Sequence, residues 1–486
     1  MKNLINGQWV DAQDGRVIQV YNPATGALLD TVPRSGAADV NTAVAFAKQG
    51  YAVNRAIPSR ERARYLHKLA DLMERNHDEL KDVMVAENGK SQHWAHFEVT
   101  KSTEIIRVLA ERPKDPVGTT YPMDSMQDCA GMMAMMYRQP RGVVGGIIPF
   151  NFPLEMVAYK VGGALSAGNA IVVKLSEDCP LTCLKLGELM LQAGVPKEAF
   201  HLLVGYGEEA GMALVDHPDV PMITFTGSSA VGKIIMEHSA KYLKHLSLEL
   251  GGNDPVIVCD DADLDAVAQG LIKGRFTVGN GQACVADKRL IVDHKVLGEL
   301  TEKIVNMAAG LRMGDPADPG VDVGPVINAR AAERIEAMIQ DAVGKGAAVR
   351  FGGKRRDNFI EPTVLSGVTK GMALYDQECF GPVVTIMESH SDEEALFIAN
   401  DSPYGLEGAV FTRDISRAMK LADAMEVGGV VVNASGCFRP GNVPYMPRKE
   451  SGLGTDNMFN CYEEMTTGKA IVIQNATAQF GGRLGE

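Results

Sequence analysis

Gly142-Val143-Val144-Gly145-Gly146-Ile147-Ile148, Ala170-Ile171-Val172-Val173-Lys174, His201-Leu202-Leu203-Val204-Gly205 and Met222-Ile223-Thr224-Phe225-Thr226-Gly227 are four short apolar runs. Helical sequence separates them: a stretch through Ala158 to Leu165, a second from about Leu181 to Ala193, and a third near Ala210. Strands that are apolar on both faces and alternate with helices of 10 to 15 residues read as βαβ units of a parallel sheet covered on both sides. A second series of this kind starts near Pro255-Val256-Ile257-Val258 and runs to about residue 432. The expected fold is therefore α/β, with two α/β domains and a cleft between them where ligands bind.

Outward from this centre the pattern changes. The first forty residues alternate polar and apolar positions and are punctuated by Asn6-Gly7, Asp14-Gly15 and Thr25-Gly26, the signature of β-hairpins. From Ala38 to about Glu111 the apolar period is helical, which predicts two or three packed helices, with Ser59 as an N-cap after Pro58. Residues 119–140 are Met-rich and lie between prolines, and they read as an extended hairpin. That hairpin is either a surface ribbon or an oligomerisation arm, because an apolar ribbon outside a core invites pairing.

Composition narrows the function. Lys and Arg number 48 against 61 Asp and Glu, a net charge of −13, and no basic run is long enough to follow a phosphate backbone. Nucleic acid is excluded as a partner, while a few local arginines could still reverse the potential inside one pocket. The start, Met1 to Gly7, has no apolar signal core, and no run reaches the roughly 20 apolar residues of a membrane span. A soluble, cytoplasmic protein is expected. The eight cysteines, at 129, 179, 183, 259, 284, 379, 437 and 461, form no CxxC pair, so no metal site is expected and all should be thiols.

Six segments could carry chemistry. Phe225 to Lys233 (FTGSSAVGK) places Gly227 and Ser228 at a strand-to-helix turn suited to an anion, or to a purely structural turn. Ile234 stands where a P-loop needs a hydroxyl, which disfavours a nucleoside triphosphatase. In Lys174-Leu175-Ser176-Glu177 a buried strand ends on a cation and a carboxylate that could grip a ribose, favouring NAD over NADP. The other reading is a solvated charge pair. Gly279 to Cys284 (GNGQAC) puts a thiol at what looks like a helix N-terminus, where it would ionise more easily. Leu248-Glu249-Leu250 buries one carboxylate in an apolar strand, a setting that raises its pKa toward that of a general base. Pro149 to Pro153 (PFNFP) stiffens a turn around Asn151, whose amide can donate to an oxyanion. Gln377 to Pro382 (QECFGP) is an acidic and aromatic turn before a buried strand.

Taken together and in this order, these segments resemble the aldehyde dehydrogenase superfamily over essentially the whole chain. The resemblance implies NAD(P)-dependent oxidation of an aldehyde to the carboxylic acid through a cysteine thiohemiacetal and thioester. It implies Cys284 as nucleophile, Glu249 as general base, and Asn151 with the Cys284 backbone N–H as oxyanion hole. Lys174 and Glu177 would hold the adenosine ribose with Ser176 beside them. Gly207, Gly227 and Ser228 would line the pyrophosphate, Glu378 would bind the nicotinamide ribose, and Phe380 would pack near the nicotinamide. The carboxylate at the base position favours hydrolysis over transfer to coenzyme A. The implied division is a cofactor domain from 1–118 and 141–251, a catalytic domain from 252–464, and an oligomerisation arm from 119–140 and 465–486 in a homodimer or homotetramer. Four positions depart from the family pattern: Gly279 stands where the family has Asn five residues before the nucleophile, with Asn280 shifted by one, Met446-Pro447 replaces two glycines, and Leu175 replaces a proline.

For the substrate, Phe152, Arg107 and Arg439 are the candidates. The two arginines resemble those that clamp the distal anion of phosphorylated, phosphonylated or carboxylated aldehydes, and the other reading is a surface ion pair for Arg107 and a loop cap for Arg439. A catalytically silent structural relative would have lost the nucleophile or the base, and both are present. A cofactor-independent cysteine hydrolase would need a His motif, and none of the ten His supplies one.

Overall fold

A computed structural model describes residues 1–115, 118–438, 440–455, 457–474 and 476. The four diagnostic runs are strands Val143–Ile147, Ala170–Leu175, Phe200–Val204 and Met222–Thr226, all parallel and joined by His245–Glu249. They form the centre of an eight-stranded sheet. Its far edge comes from the N-terminal strands Asn3–Ile5 and Gln8–Val10, and its near edge from Gly452–Leu453, which runs antiparallel to Leu248 and Glu249. The strands are buried along their whole length because helices cover both faces, so they read as continuous apolar runs rather than alternating ones.

A seven-stranded sheet holds the second series, from Pro255–Val258 to Gly429–Val432, parallel except for the edge strand Ala348–Phe351. Separate apolar clusters pack around the two sheets. The mixed α/β class expected from the sequence is the one observed.

The early hairpins are present as Asn3–Ile5 with Gln8–Val10 and as Val17–Tyr21 with Leu28–Pro33. The helical stretch holds four helices rather than two or three: Ala37–Ala56, Ser59–Arg75, His77–Asn88 and Gln92–Glu111. The extra break falls at Asn76, whose side chain donates back to the Leu72 carbonyl at 2.8 Å and stops the helix without Gly or Pro. Ser59 is not a cap. It is the first helical residue after Pro58, and its hydroxyl accepts from Arg62 instead.

The Met-rich hairpin forms as Gly118–Tyr121 paired with Met133–Pro140, and Thr466–Ile473 adds a third antiparallel strand from Thr466 opposite Pro140 to Ile473 opposite Met133. Among the described residues no helix is long and apolar enough to cross a membrane. No group of His, Cys, Asp and Glu among them could hold a metal ion, and all eight cysteines are free.

Candidate active site

In the eight-stranded sheet, chain order reverses between Val143–Ile147 and Met222–Thr226, which lie side by side. Crevices at the carboxyl ends of such a pair are where α/β sheets take ligands, because neighbouring loops diverge there. A cleft of about 760 Å³ opens at this point, walled by Lys174, Ser176, Glu177, Gly207, Gly227 and Phe380 among others. Lys174 reaches the cleft from a strand end and pairs with Glu177 at 2.7 Å. A Cβ on Gly207 would meet nothing within 4 Å, so this glycine leaves a bare stretch of backbone beside open space. Phe380 stacks edge-on against Phe150 with centroids 5.9 Å apart and closes the far wall. This donor set suits a dinucleotide: a carboxylate for ribose hydroxyls, backbone at a helix start for phosphate, and an aromatic floor.

Ser228 caps the helix Ser229–Ser239, its hydroxyl accepting from the Val231 N–H at 3.4 Å. Lys233, the lysine of the near P-loop pattern, pairs with the exposed Glu450 at 2.8 Å. Glu378 does not line the cleft. It accepts from the Gly252 N–H at 3.2 Å, and only a glycine at 251 permits this approach, since a Cβ there would lie 2.4 Å from a Glu378 oxygen.

The segment that carries Cys284 is irregular. Gly279, Asn280 and Gly281 are three consecutive left-handed residues, with φ of 54°, 57° and 76°. Asn280 is held there by its buried amide, which donates to the carbonyls of Gly89 and Pro325 at 2.8 and 2.9 Å and accepts from the Gly324 N–H at 2.8 Å. Cys284 therefore lies in a turn closed by the Ala286 N–H to Ala283 carbonyl bond, not at a helix N-terminus. Without the helix dipole, the expected easier ionisation is reversed. Burial and then the Glu249 charge push the thiol well above its ordinary range, against the pull of Lys288. Lys288, almost fully buried, donates to the Cys284 carbonyl at 2.5 Å and lies 3.4 Å from Glu378.

Glu249 ends its strand buried beside Cys284, close enough for its charge to act on the thiol. Tyr445 completes the cluster: its hydroxyl is 3.2 Å from Glu249 Oε1 and 3.7 Å from Cys284 Sγ. Asn151 is brought in from the opposite side, where its Nδ2 donates to the Gln282 carbonyl at 3.0 Å. Its loop is fixed from the helical layer. Asn88 donates to the Phe150 carbonyl at 2.6 Å, and the buried Lys90 donates to the Asn151 carbonyl at 2.8 Å while paired with the buried Glu98. Phe152 lies under the Lys90 ammonium, 3.8 Å from the ring centroid. With Cys437 it packs on an apolar cluster of Trp94, Val278, Ala283 and Ala286 adjoining the nucleophile.

Cys284, Glu249, Asn151 and Phe152 thus converge. Arg107 does not. It sits 13 residues after Trp94 on the helix Gln92–Glu111, about 20 Å along its axis, with its guanidinium on Asp71 at 2.8 Å and Glu74 at 2.6 Å. The surface-pair reading of Arg107 is the one observed. Arg439 lies outside the described residues. Tyr445, Lys288, Lys90, Glu98 and Asn280 were not expected at the site.

Residues 9–471 match the model of the aldehyde dehydrogenase family. The chain belongs to this family. The mitochondrial succinate-semialdehyde dehydrogenase of Oryza sativa subsp. japonica is 38% identical over 98% of this chain and 89% of that protein. The 3-sulfolactaldehyde dehydrogenase of Priestia aryabhattai is 37% identical over 96% and 97%. The crystal structure of succinate-semialdehyde dehydrogenase from Burkholderia pseudomallei superposes with a TM-score of 0.94 at 37% identity, covering 97% of each chain. This aldehyde dehydrogenase is an oxidoreductase that converts an aldehyde to the carboxylic acid with NAD or NADP. Among the described residues, Glu249, Lys288 and Tyr445 act on its Cys284.

Proposed function

We propose that this aldehyde dehydrogenase acts on a short aldehyde carrying a distal anionic group, with Cys284 as nucleophile, Glu249 as general base and Asn151 as oxyanion donor. The observation that carries the catalytic part is the meeting of Cys284, Glu249 and Asn151 from three separate segments. The Cys284 sulfur adds to the aldehyde carbon. Asn151 has a second N–H besides the one on Gln282, and this N–H holds the oxyanion together with the Cys284 backbone N–H. A bound nicotinamide supplies the hydride acceptor. The acyl group stays on Cys284 as a thioester until Glu249 takes a proton from water, which attacks the acyl carbon and frees the acid and the thiolate.

Lys174, Ser176, Glu177, Gly207 and Gly227 hold the nucleotide, with Ser228 at the helix start and Glu378 and Phe380 at the nicotinamide end. Glu177 would repel a 2′-phosphate, which supports NAD as the preferred cofactor with NADP admitted. Of the unit 1–118 and 141–251, the second part carries most of the cofactor contacts, Glu378 and Phe380 reach in from 252–464 with the nucleophile, and residues 452–465 lean back on the first sheet and its core. The ribbon of 119–140 and the tail from 465 form the arm of a homodimer or homotetramer. The exposed Ile471 and Val472 on its outer strand support that role. Eight free thiols support a reducing, cytoplasmic setting.

The named substrates of the relatives, succinate semialdehyde and 3-sulfolactaldehyde, support the anionic group. Arg439, two positions along the chain from Cys437, is the candidate to hold it. Steady-state comparison of succinate semialdehyde with butanal tests this. At least a tenfold higher kcat/KM for the anion, lost in Arg439→Ala, is expected from a charge-assisted bond of about 1.5–3 kcal/mol. Equal values for both aldehydes overturn it.

A further inference from the structure

The segment after residue 444 is clamped onto the strand that carries the general base. Gly452 pairs with Glu249, the Leu250 N–H donates to the Ser451 carbonyl at 2.9 Å, and the Ser451 hydroxyl donates to the Gly251 carbonyl at 2.7 Å. Upstream, the Met446 carbonyl packs so tightly on Gly428 that a Cβ there would lie 1.7 Å from it. Tyr445 directly precedes these anchors, is only 2% exposed, and places its hydroxyl within reach of both groups assigned to the chemistry.

A phenol hydroxyl is a single donor that can turn about its C–O bond, and its oxygen here reaches both a carboxylate and a thiol. We propose that Tyr445 is a third catalytic residue, whose O–H donates to Glu249 while Cys284 is a thiol and turns to donate to Sγ once Cys284 is a thiolate. This rests on the assignment of Cys284 and Glu249 made above. In the activating step the Sγ–H bond breaks and its proton goes to the Glu249 carboxylate, which forms a new O–H bond; Tyr445 keeps its own proton throughout. The carboxylate, now neutral, no longer needs the phenol as donor, and the thiolate does. One hydroxyl therefore offsets the charge at whichever of the two sites is anionic. The proton on Glu249 passes to solvent before the carboxylate takes another from the hydrolytic water, and that one returns to Sγ as the acid leaves, so the cycle closes. The position of the phenol also explains why it eases ionisation of a thiol that burial and the neighbouring carboxylate oppose.

The test removes one oxygen atom. In Tyr445→Phe, alkylation of Cys284 by iodoacetamide, followed by peptide mass against pH, should have its midpoint raised by about one unit, a loss of about tenfold in rate below the midpoint. At neutral pH kcat/KM for the aldehyde should fall by at least tenfold with the cofactor KM unchanged. The shift in midpoint should persist when Tyr445→Phe is made in a Glu249→Gln background, because the phenol acts directly on Sγ; a shift lost there overturns the proposal, as do coincident alkylation profiles with kcat/KM within twofold of the parent. Alkylation of the parent protein at a cysteine other than 284 would instead overturn the nucleophile assignment on which the proposal rests.

Discussion

The cleft at the strand ends and the turn that carries Cys284 solve opposite problems. The cleft is built on the ends of regular parallel strands, so Lys174 and Gly227 are placed by a hydrogen-bond ladder whose partners are whole strands. The turn at 279–284 has no ladder. It is placed by side chains from far along the chain: Asn280 onto Gly89 and Pro325, and Asn151 onto Gln282. A ladder tolerates the loss of one side chain, whereas a tethered turn does not. Changes in the cleft should therefore weaken cofactor binding, and changes around the turn should stop chemistry.

The sharpest break is Cys284→Ser, expected to lower kcat by four orders of magnitude or more with an unchanged melting temperature, measured by aldehyde-dependent absorbance at 340 nm. In the parent, kcat/KM should climb with pH, because the thiol is held above its ordinary range and the reactive thiolate is populated only as pH rises. Next is Glu249→Gln, for which stopped flow should show one equivalent of reduced nicotinamide per site, formed more slowly than in the parent because the thiol has lost its proton acceptor, followed by turnover slowed 10²- to 10⁴-fold. A burst equal to the parent's, with unchanged turnover, would remove Glu249 from deacylation. On the cleft side, Glu177→Ala should raise the KM for NAD about tenfold with kcat nearly constant and narrow the gap to NADP; a fall in kcat alone would erase the contrast between the two regions. The smallest effect is Arg107→Ala, which should leave kcat/KM for succinate semialdehyde within twofold and stability within about 1 kcal/mol, since its carboxylate partners are exposed.

The same contrast decides what could be read from the sequence. The strands Ala170–Leu175 and Phe200–Val204 and the helix Leu181–Ala193 fall within a residue of the expected bounds, because burial on both faces writes itself into consecutive apolar residues. The motifs that carry Cys284, Glu249 and Asn151 were legible as candidates, and the fold brings the three segments together. The setting of Cys284 was not legible: GNGQAC has the composition of a helix start, and only the buried bonds of Asn280 show that it forms a left-handed turn. Tyr445 stands 161 residues from Cys284 and 196 from Glu249, so no periodicity links them. Lys90 and Glu98 failed to register because a charge read alone suggests solvent, while here each is neutralised by the other inside the protein. Arg107 was chosen by resemblance alone, and its contacts follow the other reading given for it, since the helix turns it outward to Asp71 and Glu74.

Asn280 has one further consequence. Its single amide spans Gly89, beneath the helical layer, and Pro325, in the chain that leads to the far wall of the nucleotide crevice. Any motion that separates those two points must break one of its bonds, four residues from Cys284. An opening that separated Gly89 from Pro325 would also release the positive-φ turn that precedes Cys284.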